Sequence, residues 1–314
     1  MTEPTVHTPP DAASTAWSRS AMGTGTWAWG DTLVWGYGGG YSDADLRAAY
    51  EASVNSGITL FDTAEMYGFG KSERLLGQFM REVPAHVEIA TKFFPVPWRF
   101  RPAQLMNALR GSLNRLGVRR VALYQIHWPT PIVHPETWAG ALADALDAGL
   151  TEAVGVSNYG RRDVLRAVHT LALRGHVLAS NQVEYSLINR KIERDGTFDA
   201  CRERGVRIIA YSPLGMGLLT GKYTPENPPQ GVRGLNKARL AAVQPLIAVL
   251  RRIGEGYGKS PAQVALNWTI AKGTVPIPGA KSARQLEHNA GALGWALTSD
   301  EVAELDEASA PVAF

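Results

Sequence analysis

Polar or ionisable residues close one apolar run after another at a nearly constant interval, and no other feature of the chain constrains its fold as strongly. Asp62 closes ITLFD, Lys92 closes EIATK and His127 closes YQIH, and Ser157, Glu184 and Tyr211 follow in the same manner. These positions are separated by 30, 35, 30, 27 and 27 residues. A strand with its crossover helix needs roughly 30 residues, so the interval predicts one βα unit per repeat.

The candidate strands are residues 58–64, 88–93, 121–128, 153–158, 178–185, 207–213 and 274–279. Most are β-branched and apolar on both faces, as expected of strands buried on both sides of a parallel sheet. Seven such strands plus one more at the end make eight, and eight parallel strands close a barrel. The expected fold is therefore α/β, a single-domain (β/α)8 TIM barrel over 21–314, preceded by a flexible N-terminal tail over 1–20. An open doubly wound sheet is the structural rival, but nothing marks a reversal of strand order.

Helical segments lie between the strands, with start and stop signals where they are needed. They are residues 43–57, 71–82, 101–117, 134–149, 161–175 and 193–205. Ser260-Pro261-Ala262-Gln263 is a capping-box pattern opening a further helix, and Ser282 with Gln285 repeats that spacing. Two stretches break the rhythm. Residues 22–42, rich in glycine and tryptophan, form either an N-terminal hairpin or a first strand with a long loop. Residues 212–236 read as a long Gly/Pro-rich loop, a kind that is usually functional or mobile.

Composition excludes several function classes. Over 314 residues the net charge is only +3, and no Lys/Arg run exceeds two residues, so neither a nucleic-acid nor an anionic-membrane partner is expected. The oligomeric state is not readable. No stretch approaches the ~18 apolar residues of a membrane span, and the N-terminal segment lacks the apolar core of a signal peptide. The single cysteine, Cys201, rules out an internal disulfide framework and reads as a small buried hydrophobe. A cytoplasmic location is expected. The seven histidines form no metal-binding pattern, and no metal is expected. Gly23-x-Gly25-x-x-Ala28 fits a loose dinucleotide fingerprint, but no helix pattern follows it, as that motif requires.

The active site of such a barrel lies at the C-terminal strand ends. Asp62, Lys92 and His127 occupy consecutive ends, and Tyr67 lies five residues past Asp62. Each has an ordinary reading: a helix cap, a snorkelling lysine, a satisfied core histidine, a surface aromatic. One site accounts for all four together. Reducing an aldehyde or ketone needs a hydride on carbon and a proton on oxygen. A free tyrosine, with a pKa near ~10, gives up its proton reluctantly, and a neighbouring ammonium is expected to lower that value. Lys92 supplies the charge, Asp62 keeps it protonated and oriented, and His127 hydrogen-bonds the carbonyl oxygen. Trp29, Trp35, Trp98 and Trp128 fall in loops beside these positions and are expected to line an aromatic substrate mouth.

FDTAEMYG, ATK, YQIHW, AVGVSNY, SNQVEYSL, IAYSPLGMGLLTGKY and PIPGAKS occur in this order from about Met22 to about Leu305. Together they resemble the signature segments of the aldo-keto reductases, closest to bacterial and chloroplast-type, pyridoxal-reductase-like members. The resemblance implies NADPH as cofactor, a small carbonyl compound as substrate, and a catalytic tetrad of Asp62, Tyr67, Lys92 and His127. It implies that Ser157, Asn158 and Gln182 hold the nicotinamide carboxamide and that the Tyr211 ring stacks on the nicotinamide. Ser212, Leu214 and Gly217 match the segment along the pyrophosphate. Gly279, Lys281, Ser282, Gln285 and Asn289 match the segment around the 2′-phosphate and adenine. The sequence ends soon after SDEVAELDEASA, so a long C-terminal substrate lid is not expected. Two rival functions remain open: an NADPH-binding redox sensor or auxiliary subunit with slow turnover, and a Schiff-base lyase with Lys92 as nucleophile.

Overall fold

Eight short strands pair in sequence order, each parallel to the next. In the computed structural model, which describes residues 20–229 and 237–312, they are β1 (Gly23–Gly25), β2 (Leu60–Asp62), β3 (Glu88–Phe93), β4 (Val121–Ile126), β5 (Thr151–Ser157), β6 (Ser180–Glu184), β7 (Arg207–Tyr211) and β8 (Val275–Pro276). A parallel bridge between Gly25 and Gly279, with Gly25 N donating to Pro278 O at 3.1 Å, joins the last strand to the first. The sheet thus closes into the expected barrel.

The strand that completes the eight lies at the start of the series and not at the end. Of the two readings of residues 22–42, the structure forms a first strand and a long loop. Glycines occupy β1 because its inner face is crowded: a Cβ on Gly25 would lie 2.8 Å from Ile277 O.

The helices are α1 (Asp43–Asn55), α2 (Lys71–Glu82), α3 (Pro102–Leu116), α4 (Pro135–Asp147), α5 (Arg161–Ala172), α6 (Lys191–Arg194), α7 (Thr197–Glu203), α8 (Lys237–Tyr257), α9 (Pro261–Ala271), α10 (Ala283–Ala290) and α11 (Ser299–Ser309). The single helix expected over 193–205 is instead α6 and α7. Gly196 between them adopts a left-handed φ of 76°, which a continuous helix does not allow. The Ser260 capping box opens α9 as expected, with the Ser260 side chain accepting from Gln263 N. The N-terminal tail, apart from Ser20, and residues 230–236 of the long loop lie outside the described residues.

Strand periodicity places the site. Successive side chains alternate faces, so residues i and i+2 share one. Leu60, Ala90, Leu123, Ala153 and Ile209 point into the barrel with Val275 and Ile277 as a small apolar plug. Two residues further along the same faces stand Asp62, Lys92, Gln125, Gly155 and Tyr211, and two beyond Gln125 stands His127. A polar layer therefore sits on an apolar one, on the side of the C-terminal strand ends. The larger apolar core fills the space between the sheet and the helices.

Candidate active site

The structure brings all four expected tetrad residues together. Lys92 is fully buried, and its ammonium donates to Asp62 Oδ1 at 2.6 Å, to Thr63 O at 2.9 Å and to Tyr67 Oη at 3.3 Å. Three acceptors match the three protons of an ammonium. Burial pulls the Lys92 pKa down, but the Asp62 carboxylate and the Tyr67 phenol more than offset this, and the net shift is upward. The lysine stays charged.

Tyr67 follows β2 in a tight turn, and its ring meets the His127 ring edge to face at 5.6 Å. The expected lowering of the Tyr67 pKa is not what the surroundings produce. Burial raises the phenol, Lys92 lowers it, Asp62 raises it again, and the net direction is upward. The phenol is therefore held as the acid. Lys92 acts by offsetting part of the desolvation of any tyrosinate.

His127 lies one residue past β4, its backbone N continuing the ladder to Phe93 O at 2.9 Å. Burial, then the Lys92 charge, pushes its pKa down to about 2, so the ring is neutral at physiological pH. His127 Nδ1 is buried without a protein partner among the described residues. A neutral imidazole can hydrogen-bond a ligand oxygen without adding charge to the site.

The expected cofactor residues surround this group, with more mutual contact than their sequence suggested. The amide of Gln182 donates to Asp62 Oδ2 at 2.7 Å, so Asp62 is gripped on both oxygens. The Asn158 amide donates to His127 O at 3.3 Å and to Ser157 Oγ at 3.0 Å, while its Oδ1 accepts from Tyr211 Oη at 3.0 Å. Ser212 and Leu214 begin the loop after β7, and Gly217 has a φ of 98°. Among the described residues, the non-glycine residues with left-handed φ are Phe69, Asn158, Ser212 and Met216, all in loops after strand ends at the mouth. Such conformations cost of order 1–3 kcal/mol each and cluster at functional sites.

Beyond β8, the Ser282 side chain caps α10 by accepting from Gln285 N, and Gln285 Oε1 accepts from Lys281 N at 2.8 Å. The Asn289 amide donates to Gly279 O at 3.5 Å. These side chains shape the turn that presents Lys281 at the positive end of a helix, an arrangement suited to an anion.

The tryptophans divide. Trp29 is a correction: it is fully buried, packed on Phe61 and Phe79, with Nε1 donating to Ala280 O at 3.0 Å, and belongs to the core. Trp35 is half-buried, lies beside Lys281 and packs edge-on against Trp27. Trp128 stacks near-parallel on His127 at 6.5 Å, and Trp98 is 69% exposed on the loop after β3. Trp27, which the sequence reading passed over, lies 6.4 Å from the Tyr67 ring. It stands two residues past Gly25, in the turn that follows β1, where no strand periodicity marks it. Glu65 was also missed. It accepts from Phe94 N at 2.7 Å and pairs with Arg99, tying the Tyr67 turn to the Trp98 loop.

A closed parallel barrel carrying this group at its mouth defines a (β/α)8-barrel oxidoreductase. The model of the Aldo/keto reductase family matches residues 21–310, and the chain belongs to that family. It is 45% identical to the chloroplastic pyridoxal reductase of Arabidopsis thaliana over 93% of this chain and 84% of the relative. Among solved structures, a glycerol dehydrogenase from Gluconobacter oxydans superposes with a TM-score of 0.81 at 28% identity, covering 92% of this chain and 91% of its own. An aldo/keto reductase from Klebsiella pneumoniae, solved with NADP and acetate, gives 0.74 at 29% identity, covering 91% and 90%. Among the described residues, no helix is long and apolar enough to cross a membrane.

Proposed function

We propose that the protein reduces an aldehyde or ketone with NADPH, Tyr67 giving the proton. The observation that carries this reading is the buried Asp62–Lys92 pair, hydrogen-bonded onward to the half-buried Tyr67 beside a neutral His127. When bound, the nicotinamide supplies a hydride to the carbonyl carbon. Tyr67 Oη protonates the oxygen, Lys92 stabilises the phenolate left behind, Asp62 fixes Lys92, and His127 orients the carbonyl oxygen. Ser157, Asn158 and Gln182 hold the carboxamide, with Tyr211 against the ring. Ser212, Leu214 and Gly217 follow the pyrophosphate, and Gly279, Lys281, Ser282, Gln285 and Asn289 take the adenosine end. Trp27, Trp98 and Trp128 form the substrate wall.

A Schiff-base role for Lys92 is disfavoured, because a lysine kept protonated by three acceptors has no free lone pair. The Cys201 thiol is buried, and burial pushes it up to about 11, so it supplies no thiolate as a rival nucleophile. NADPH consumption across an aldehyde panel, with pyridoxal included because a relative bears that name, tests the reading. Turnover well above the uncatalysed rate supports it, and cofactor binding without turnover on any member favours a sensor.

The titration of the donor sets the pH profile. With the phenol raised above its ordinary value of 10.0, its acid form is complete at neutral pH and is lost as pH rises through the raised value. Reduction should therefore be level from about pH 6 to about pH 9 in kcat/KM, with no limb from His127. An alkaline limb centred near neutrality, absent in the Tyr67→Phe residual activity, would contradict this.

Lys281→Ala is expected to weaken NADPH roughly ten- to a hundredfold, the worth of a charge-assisted hydrogen bond, and to leave NADH nearly unchanged. Calorimetric titration of both cofactors measures it, and equal losses would remove the assignment.

A further inference from the structure

The loop between β1 and α1 meets the turn between β8 and α10 at points some 250 residues apart in sequence. Trp29 Nε1 donates to Ala280 O, and the Lys281 ammonium lies 4.5 Å from the centroid of the Tyr41 ring and 5.8 Å from that of Trp35. Tyr41 is itself well held. It is buried, its hydroxyl donates to Ala28 O, and the Tyr37 ring packs edge-on at 5.9 Å. Trp35 in turn packs edge-on against Trp27 at 5.6 Å, and Trp27 faces Tyr67. One loop therefore reaches both the adenosine end and the reacting end of the proposed site.

A solvated lysine spreads over many rotamers and loses that freedom when it grips an anion. Aromatic faces attract an ammonium through the ring quadrupole, and more strongly where water is excluded. Two rings within reach of the Lys281 ammonium hold the charge in place before an anion arrives, which reduces the ordering cost of binding. We propose that Tyr41 and Trp35 position Lys281 for the cofactor 2′-phosphate, so that the β1–α1 loop sets the preference for NADPH over NADH. The proposal rests on the reading of Lys281 as the phosphate ligand. Neither ring touches the phosphate, and both are positioning residues.

The test is calorimetric Kd values for NADPH and NADH in wild type, Tyr41→Leu, Tyr41→Phe, Trp35→Leu, Lys281→Ala and the Tyr41→Leu/Lys281→Ala double variant. Tyr41→Leu should weaken NADPH by roughly three- to tenfold and leave NADH within about twofold. Tyr41→Phe keeps the ring face and should keep the wild-type ratio. In the Lys281→Ala background, Tyr41→Leu should no longer change the ratio, since the coupling has lost its partner. If Tyr41→Leu does not fold, the half-buried Trp35→Leu carries the same expectation. Equal losses for both cofactors, or an unchanged ratio in Tyr41→Leu while Lys281→Ala lowers it, would overturn the positioning role and leave Lys281 as the ligand. An unchanged ratio in Lys281→Ala would overturn the ligand reading and this proposal with it.

Discussion

Tyr67→Phe should lower the single-turnover rate of carbonyl reduction by about 10²–10⁴-fold, the usual worth of a general acid, with NADPH affinity unchanged. The substitution removes one hydroxyl from a half-buried ring. The ring's contacts with Trp27 and His127 survive, and Lys92 keeps Asp62 and Thr63 O as acceptors. Fold and cofactor site should therefore be undisturbed, and the loss belongs to the proton. Rapid mixing of enzyme–NADPH with excess aldehyde isolates the chemical step from product release. A variant with the wild-type single-turnover rate would remove Tyr67 as donor.

Lys92→Met should be costly in both stability and activity. The ammonium is buried with none of its side chain exposed, and the Asp62 carboxylate beside it is nearly as enclosed. Met keeps most of the packing but leaves that carboxylate without its cation. Breaking a buried pair from one side costs about 3–5 kcal/mol, because the remaining charge is uncompensated. The Asp62→Asn/Lys92→Met double variant removes both charges and should recover a large part of the stability, while activity stays lost in both. Urea midpoints and NADPH turnover separate the two effects. A Lys92→Met protein as stable as wild type would show that the pair is not carried as a buried ion pair.

The parts of this site legible in the sequence were those fixed by strand periodicity. Asp62, Lys92 and His127 stand out because an ionisable residue at the end of an apolar run has few reasons to be there. The NADPH-side residues were legible only as a resemblance, since Ser157 or Gln182 alone fits a plain turn or a barrel interior. What escaped depended on packing between distant segments. The first strand is GTG, a single threonine between two glycines with no apolar run to mark it, because its inner face meets Ile277. Without that strand the turn that closes it was hidden as well, in which Trp29 N donates back to Thr26 O at 2.8 Å and the Trp29 ring enters the core, so Trp29 was placed at the mouth and Trp27 was passed over. The helix α8 carries Pro245 in its interior, which masks its pattern. The direction of the Tyr67 shift is a balance between burial and the Lys92 charge, and only the fold sets how much water the phenol keeps. The grip of Gln182 on Asp62 spans 120 residues and follows from barrel closure alone.

Hydride transfer from NADPH to a carbonyl carbon is the centre of this account, and isotope tracing tests it most directly. The protein is incubated with NADPH deuterated at both C4 positions and the aldehyde it turns over fastest, and the product alcohol is read by mass spectrometry and proton NMR. The expected result is one deuterium on the carbinol carbon for each NADPH oxidised, with none appearing there when unlabelled NADPH is used in heavy water. Cofactor oxidation without deuterated alcohol, or deuterium on that carbon drawn from the solvent, would contradict it.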